Sequence, residues 1–400
     1  MTRTETGRKD RCMPRGRVPK AIVIGAGIGG LTAAVALRRV GVDVEVHERA
    51  SDLWPAGTGL SLMSNALSAL RSLGIDLALE RRGRVIETFQ FLHATGRPVR
   101  SLPLKEIGDR LGSPSVSIHR SDLQQALLEK LGDRSVRLGA SAMDFTPTAD
   151  GVRVCFTDGS EAHGDVLIGA DGFRSAVRRQ LTGPEEPREP GYVCWMATTP
   201  FSHPRFTDGC VRHYWGPGQR FGLIDIGHGQ AYWWGTKNMP PATARAWNGG
   251  KAEIARAFAG WADEVREAIR VTPEHAIVSV PAQDRPFLER WGEGPVTLLG
   301  DAAHPMLTSL GQGAGTAVED AVVLARSLAA ATDLRQGLRT YESMRRARAR
   351  RMVDLSHRVS HIEQYERPLP RKLRDAYLRW VPAPVLYRQN MSLLTFDSSW

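Results

Sequence analysis

Short apolar runs closed by glycine organise this chain. Ala21-Ile22-Val23-Ile24 contains no polar residue and stops at Gly25. Such a run reads as a strand buried on both faces. An alanine- and leucine-rich stretch then predicts a helix, and residues 42–47 predict a second strand ending at Glu48. The pattern returns twice. Val166-Leu167-Ile168 runs into Gly169-Ala170-Asp171-Gly172, and Val296-Thr297-Leu298-Leu299 runs into Gly300-Asp301, each before a helix. Between these runs the periodicity shortens. Residues 60–62, 85–93, 98–102, 135–138, 142–146 and 151–156 read as short strands, and 191–235 as an antiparallel sheet holding Trp195, Trp215, Trp233 and Trp234. Helices are predicted near 251–259 and 262–269, with a strand at 276–280. Beyond Gly315 the chain is mostly helical and arginine-rich, broken by Pro368, Pro370, Pro382 and Pro384. The predicted fold class is α/β: a Rossmann-type parallel core interleaved with an antiparallel-sheet domain, closed by a helical C-terminus.

The first strand–helix–strand unit carries chemistry. Gly25, Gly27 and Gly30 have G-x-G-x-x-G spacing. Gly25 lets the chain turn off the strand, Gly27 lets a pyrophosphate approach the backbone, and Gly30 lets helix and strand pack closely. The free N–H groups and positive end of the helix face the phosphates. Glu48 stands 18 residues beyond Gly30, where a carboxylate accepts both hydroxyl hydrogens of an adenosine ribose and repels a 2′-phosphate. FAD or NAD is thus preferred to NADP; the bland alternative is a glycine turn in a buried unit without ligand. Arg120 precedes a helix predicted at 124–131 with Ser121 as its N-cap. It suits a phosphate or ring-carbonyl contact and a surface salt bridge equally.

Composition narrows the classes. In 400 residues, 42% are hydrophobic and 24% charged, ordinary for a globular chain of two or three domains. No apolar run reaches the ~20 residues of a membrane-spanning helix. Residues 1–19 are polar and basic, read as a disordered leader and not a secretory signal. The net charge of +10 raises nucleic-acid binding, but the basic residues are scattered apart from RRARARR at 345–351, read as a solvated helix face. A positive field attracting an anionic cofactor or substrate is the second explanation. Cys12, Cys155, Cys194 and Cys210 form no C-x-x-C, so neither a disulfide framework nor a metal site is expected, and a reducing cytoplasm fits.

In an open parallel sheet, ligands lie outside the carboxyl ends of the strands. Were the three glycine-ended strands neighbours, their turns would converge on one elongated ligand. Asp301 suits a ribityl hydroxyl or a pyrophosphate-linked sugar. Gly311, Gly313 and Gly315 open a helix whose N–H groups suit negative charge on a ring. A ring that gains such charge on reduction is a flavin, which favours FAD over NAD.

With these three motifs the chain resembles the class A flavin-dependent aromatic monooxygenases of the para-hydroxybenzoate hydroxylase structural type, near the urate, salicylate and 3-hydroxybenzoate hydroxylases. GAGIGG with Glu48 matches the adenosine motif, Asp171-Gly172-x-x-Ser175-x-x-Arg178 the D-G motif, and Gly300-Asp301-Ala-Ala-His304-Pro305 with Gly311-Gln312-Gly313 the G-D motif. The resemblance implies a cofactor site of Gly25, Gly27, Ile28, Gly30, Glu48, Arg49, Arg120, Asp171, Asp301, Gly311, Gly313 and Ala314. It implies FAD, with NADH or NADPH as transient co-substrate. It implies a monooxygenase that inserts one atom of O2 into an aromatic, terpenoid or alkaloid-like substrate through a flavin C4a-hydroperoxide, without a protein nucleophile. Epoxidation or oxidative cyclisation is the alternative chemistry, and a non-catalytic FAD-binding protein the alternative class. Residues 20–84, 119–189 and 286–350 are then the FAD-binding domain, 85–118 and 190–285 the substrate domain, and 351–400 a C-terminal helical segment. A monomer or homodimer is expected. The sequence departs from its relatives at Trp195-Met196-Ala197, where they carry W-R-G, and at Thr308, where they carry proline. Met196, Tyr214, Trp215, Phe221, Trp233 and Thr308 are the expected pocket residues. His213, Tyr214 and His228 are candidate bases but read as structural polar residues.

Overall fold

The computed structural model describes residues 18–53, 58–132 and 135–397. The expected leader, apart from its last two residues, and residues 54–57 of the turn-rich stretch lie outside the described residues.

The three glycine-ended strands are adjacent. A parallel sheet runs in the order Val296–Leu298, Val166–Gly169, Lys20–Ile24, Asp43–His47, Val136–Arg137. Ile24 stands level with Gly169 and Gly169 with Leu298, so the three turns leave the same sheet edge. The helix Ile28–Arg39 lies against the helix Gly313–Ala330. A methyl group on Gly29 would come within 3.2 Å of Ala317 Cβ, so the glycine sets the close approach. Two three-stranded sheets flank this core.

A seven-stranded sheet forms the second unit. Its order is Val278–Pro281, Tyr192–Pro200, Gln230–Asn238, Gln219–Gly227, Cys210–Trp215, Thr88–His93, Pro98–Pro103. It is antiparallel except where Cys210–Trp215 meets Thr88–His93 in parallel. The antiparallel sheet expected over 191–235 holds throughout that stretch; the parallel pair arises only where the earlier hairpin adds to its edge.

Side chains alternate across this sheet. Trp195, Tyr214, Phe221 and Trp233 are fully buried on one face, beneath Ile254, Phe258, Val265 and Ile269 of the helical layer. The opposite face, towards the parallel core, carries Met196, His213, Trp215, Arg220, Tyr232 and Trp234, with Phe89 and Phe91 on the added hairpin.

From residue 334 onward the chain is helical: Leu334–Glu363, Pro368–Trp380 and Ala383–Leu394. The first of these runs unbroken through residues 350 and 351, where a segment boundary was expected. The prolines open the next two helices, because first-turn N–H groups have no intrahelical partner to lose. The arginine cluster is only partly a solvated face. Arg345 is 3% exposed and pairs with Glu319 and Asp320, both buried on the Gly313–Ala330 helix. Half-buried Arg348 also grips Glu319 at 2.6 Å, whereas Arg346 and Arg350 reach outward to Glu289.

Candidate active site

The glycine turn divides into two kinds of glycine. A Cβ on Gly25 would lie 2.4 Å from Ala170 O, and one on Gly30 would lie 1.9 Å from Gly25 O. These two are glycine because the protein itself fills the space. A Cβ on Gly27 would meet nothing within 4 Å, and Gly27 has an ordinary extended backbone (φ −70°). Its missing side chain leaves an open cradle at the helix start. The Ile28–Arg39 helix has no side-chain cap and no acidic residue in its first turn, so its orphan N–H groups face that cradle. The same holds for the Gly313–Ala330 helix, preceded by Gly311 with open space around it. Two uncapped, adjacent helix starts beside open glycines fit a diphosphate and an electron-rich ring.

The polar groups around the cradle are fixed. Glu48 Oε2 accepts from Ala26 N at 2.8 Å and Oε1 from Ala50 N at 2.9 Å, while Gln124 donates to Ala26 O. Each carboxylate oxygen keeps acceptor capacity for a sugar hydroxyl. Ile28 is buried, Ala314 half-buried and Arg49 exposed. Asp301 lies exposed at the mouth of the third turn, and a methyl group on Gly313 would stand 4.0 Å from its Oδ1. Although its side chain reaches solvent, the protein packed around the mouth pushes the Asp301 carboxyl up, opposed by the charges of His304 and Arg120. Arg120 charge also reaches Tyr232 on the aromatic sheet, so Arg120 stands between turn and sheet. It is the first residue of its helix, not the residue before it. The N-cap is His119, whose ring accepts from Ser121 N, because the strand Val116–His119 runs straight into the helix.

Asp171 is committed to its own turn. It accepts from Ser175 Oγ at 2.5 Å and Ala176 N at 2.7 Å, and burial raises its pKa. A second contact was not legible in the sequence. Arg178 pairs with Glu185, in the turn-rich linker 182–190 ahead of the aromatic sheet, and donates to Ala302 O at 3.1 Å and Ala303 O at 2.9 Å. It therefore holds the backbone immediately after Asp301.

Of the six expected pocket residues, the structure brings three to the core-facing side: Met196 and Trp215 on the sheet, and exposed Thr308 on the turn. Tyr214, Phe221 and Trp233 point the other way. Strand parity buries them among helices, and Tyr214 Oη donates to Glu264 at 2.8 Å. Their places on the inner face are taken by Tyr232, Trp234, Phe89 and Phe91, all partly accessible. Arg220 was also missed. It is 1% exposed, pairs with Glu363 and donates to Ser309 Oγ at 2.9 Å, so it ties the Thr308–Leu310 turn to the sheet. His213 is held neutral, its pKa well below the usual value through burial and the charges of Arg220 and Arg374. Its Nε2 accepts from Trp215 Nε1 at 3.3 Å, a better account of that nitrogen than the 3.8 Å approach to Glu363. His228 sits in an exposed hairpin turn at φ 53°.

The chain is similar to known proteins over most of its length. Residues 19–356 match the family described as FAD binding domain. Aurachin C monooxygenase/isomerase of Stigmatella aurantiaca is 40% identical over 362 residues, covering 90% of this chain and 93% of that protein. FAD-dependent urate hydroxylase of Klebsiella pneumoniae is 34% identical over 84% of this chain and 88% of its own. The solved structure of Klebsiella pneumoniae HpxO complexed with FAD and uric acid superposes with a TM-score of 0.86 at 30% identity, covering 94% of this chain and 96% of that one.

Proposed function

This chain belongs to the FAD binding domain family of flavin-dependent monooxygenases, and from that premise we propose that it oxygenates a neutral, largely apolar aromatic or polyene substrate at the expense of NADH or NADPH. Bound FAD supplies the reductive activation of dioxygen. The protein's own residues do the rest. The N–H groups at Gly27–Gly30 and Gly313–Gly315, with Glu48, Arg120 and Asp301, would hold the cofactor. The Thr308–Leu310 turn and the inner sheet face would orient the substrate and exclude water.

The inner face carries the substrate class. Buried Arg220 on this face and buried Arg374, laid over Trp215 by the helix Pro368–Trp380, are already paired with Glu363 and Asp375. Met196 stands opposite Trp234, where a cation would be needed to hold a carboxylate or phenolate. A flat apolar ring satisfies such a surface; an uncompensated anion does not. Neutral aromatics and terpenoids should therefore stimulate NAD(P)H oxidation with product formation, and simple aromatic carboxylates should not. Stimulation by carboxylates alone would overturn this reading. Met196→Arg should reverse the preference, raising the response to aromatic carboxylates while lowering turnover of the neutral substrate; kcat/KM for both classes checks it.

Thr308→Pro tests the turn. Leu307 has φ −66° and ψ 152°, the conformation that precedes proline, and Thr308 is the first residue of its helical turn. The variant should fold and retain FAD, but change the ratio of product to hydrogen peroxide. An unchanged ratio would show that this turn does not govern coupling.

A further inference from the structure

The helix Pro368–Trp380 is inside out. Leu369, Leu373, Tyr377 and Trp380 are 67%, 64%, 54% and 77% exposed. Their spacing of four, four and three residues places them within a wedge of roughly 80° on a helix turning 100° per residue. The side turned to the protein is held by a cation instead. Arg374 is 6% exposed, stacks 4.4 Å over the Trp215 ring and donates to Glu363 O at 3.3 Å. A helix that packed by its apolar stripe would show the reverse pattern.

The surroundings of the stripe are basic. From residue 367 to 388 the chain has six arginines and lysines against one acid, Asp375. Lys372 and Arg379 are exposed at the margin of the stripe, and Arg367 and Arg388 are exposed nearby. The next helix adds Val385, 41% exposed. Leucines towards the start of the helix, Tyr and Trp towards its end and cations alongside match what the interface of an anionic bilayer accepts. A second copy of this chain would set like charge against like charge, and the whole molecule carries +10.

We propose that the Pro368–Trp380 helix is a docking face for an anionic lipid surface. It lies in the interface plane with Leu369, Leu373, Tyr377 and Trp380 among the acyl chains, and Lys372 and Arg379 at the headgroups. The helix foot, Arg367 and Pro370, also lines a cavity of about 820 Å³ with Tyr192, Asn238, His357 and His361. Docking would set that opening at the lipid boundary.

The test is sedimentation of the purified full chain with phosphatidylcholine vesicles, with and without phosphatidylglycerol. The chain should pellet with the anionic vesicles, less so at high salt, and tryptophan emission should shift to the blue. Leu373→Glu with Trp380→Glu should reduce binding roughly tenfold or more, since each exposed apolar side chain contributes its transfer free energy on insertion. Both residues are exposed, and an unchanged melting temperature would confirm that the variant folds. Lys372→Glu with Arg379→Glu should weaken binding to anionic vesicles about tenfold or more, at about 1 kcal/mol for each cation lost. Absence of pelleting with anionic vesicles would overturn the proposal. So would equal pelleting of the Leu373→Glu, Trp380→Glu variant, or a wild-type dimer that this variant converts to monomer while neither binds vesicles.

Discussion

Gly27→Val should yield a folded protein without FAD. The native backbone at Gly27 is extended, so valine adopts it without strain, and its Cβ meets no protein atom within 4 Å. The stability cost is that of a poor N-cap residue, about 1 kcal/mol, or a few degrees in a chain of this size. The side chain stands in the cradle at the helix start, where backbone and phosphates must touch. Gly30→Val is the control with the opposite signature. Its Cβ would lie 1.9 Å from Gly25 O, so it should fail to fold at all. Flavin absorbance per chain, with melting of the apoprotein, separates the two. Stoichiometric FAD on Gly27→Val would show that the pyrophosphate lies elsewhere.

Arg345→Met should cost about 3–5 kcal/mol of stability, the usual penalty for stripping one partner from a buried ion pair. Arg345 Nε meets Asp320 Oδ1 at 2.7 Å and its Nη2 meets Glu319 Oε2 at 2.7 Å; both carboxylates are fully buried. Arg348 can relieve Glu319, but Asp320 would keep only His304, at 2.5 Å, and Gly300 N. Burial opposes ionisation of Asp320, yet His304 and Arg345 outweigh it and draw the pKa from 3.8 to about 2. A carboxyl depressed in the folded state adds stability above its unfolded pKa and loses it as pH falls through the folded one. In the wild type this contribution, about 2 kcal/mol, should be intact at neutral pH and disappear between about pH 4 and 2. Urea unfolding at neutral and acid pH measures both effects. A loss below about 1 kcal/mol for Arg345→Met would mean that the network is not what holds the two helices together.

The parts of this fold that were legible from sequence are those encoded locally. A strand, a glycine turn and a helix lie within a few residues of one another at Gly25, Asp171 and Asp301, and their adjacency in the sheet followed once they shared one architecture. The aromatic sheet was legible as a sheet but not by face. In Cys-Val-Arg-His-Tyr-Trp the apolar and aromatic residues occupy both parities, because one side packs on helices and the other on the cofactor core. Without an alternation to read, Tyr214, Phe221 and Trp233 went to the wrong side. The arginines misled for another reason. Whether Arg345 is solvated or buried depends on Glu319 and Asp320 from another helix, and no local pattern records that pairing.

Arg178 has one consequence for how the two sheets communicate. A single guanidinium spans Glu185, in the linker leading to the aromatic sheet, and the carbonyls of Ala302 and Ala303, next to Asp301. Being 3% exposed, it has no solvent to exchange these partners for. Linker and turn therefore behave as one mechanical element: a shift of the sheet that pulls on Glu185 must either carry the Asp301 backbone with it or break a buried charged contact.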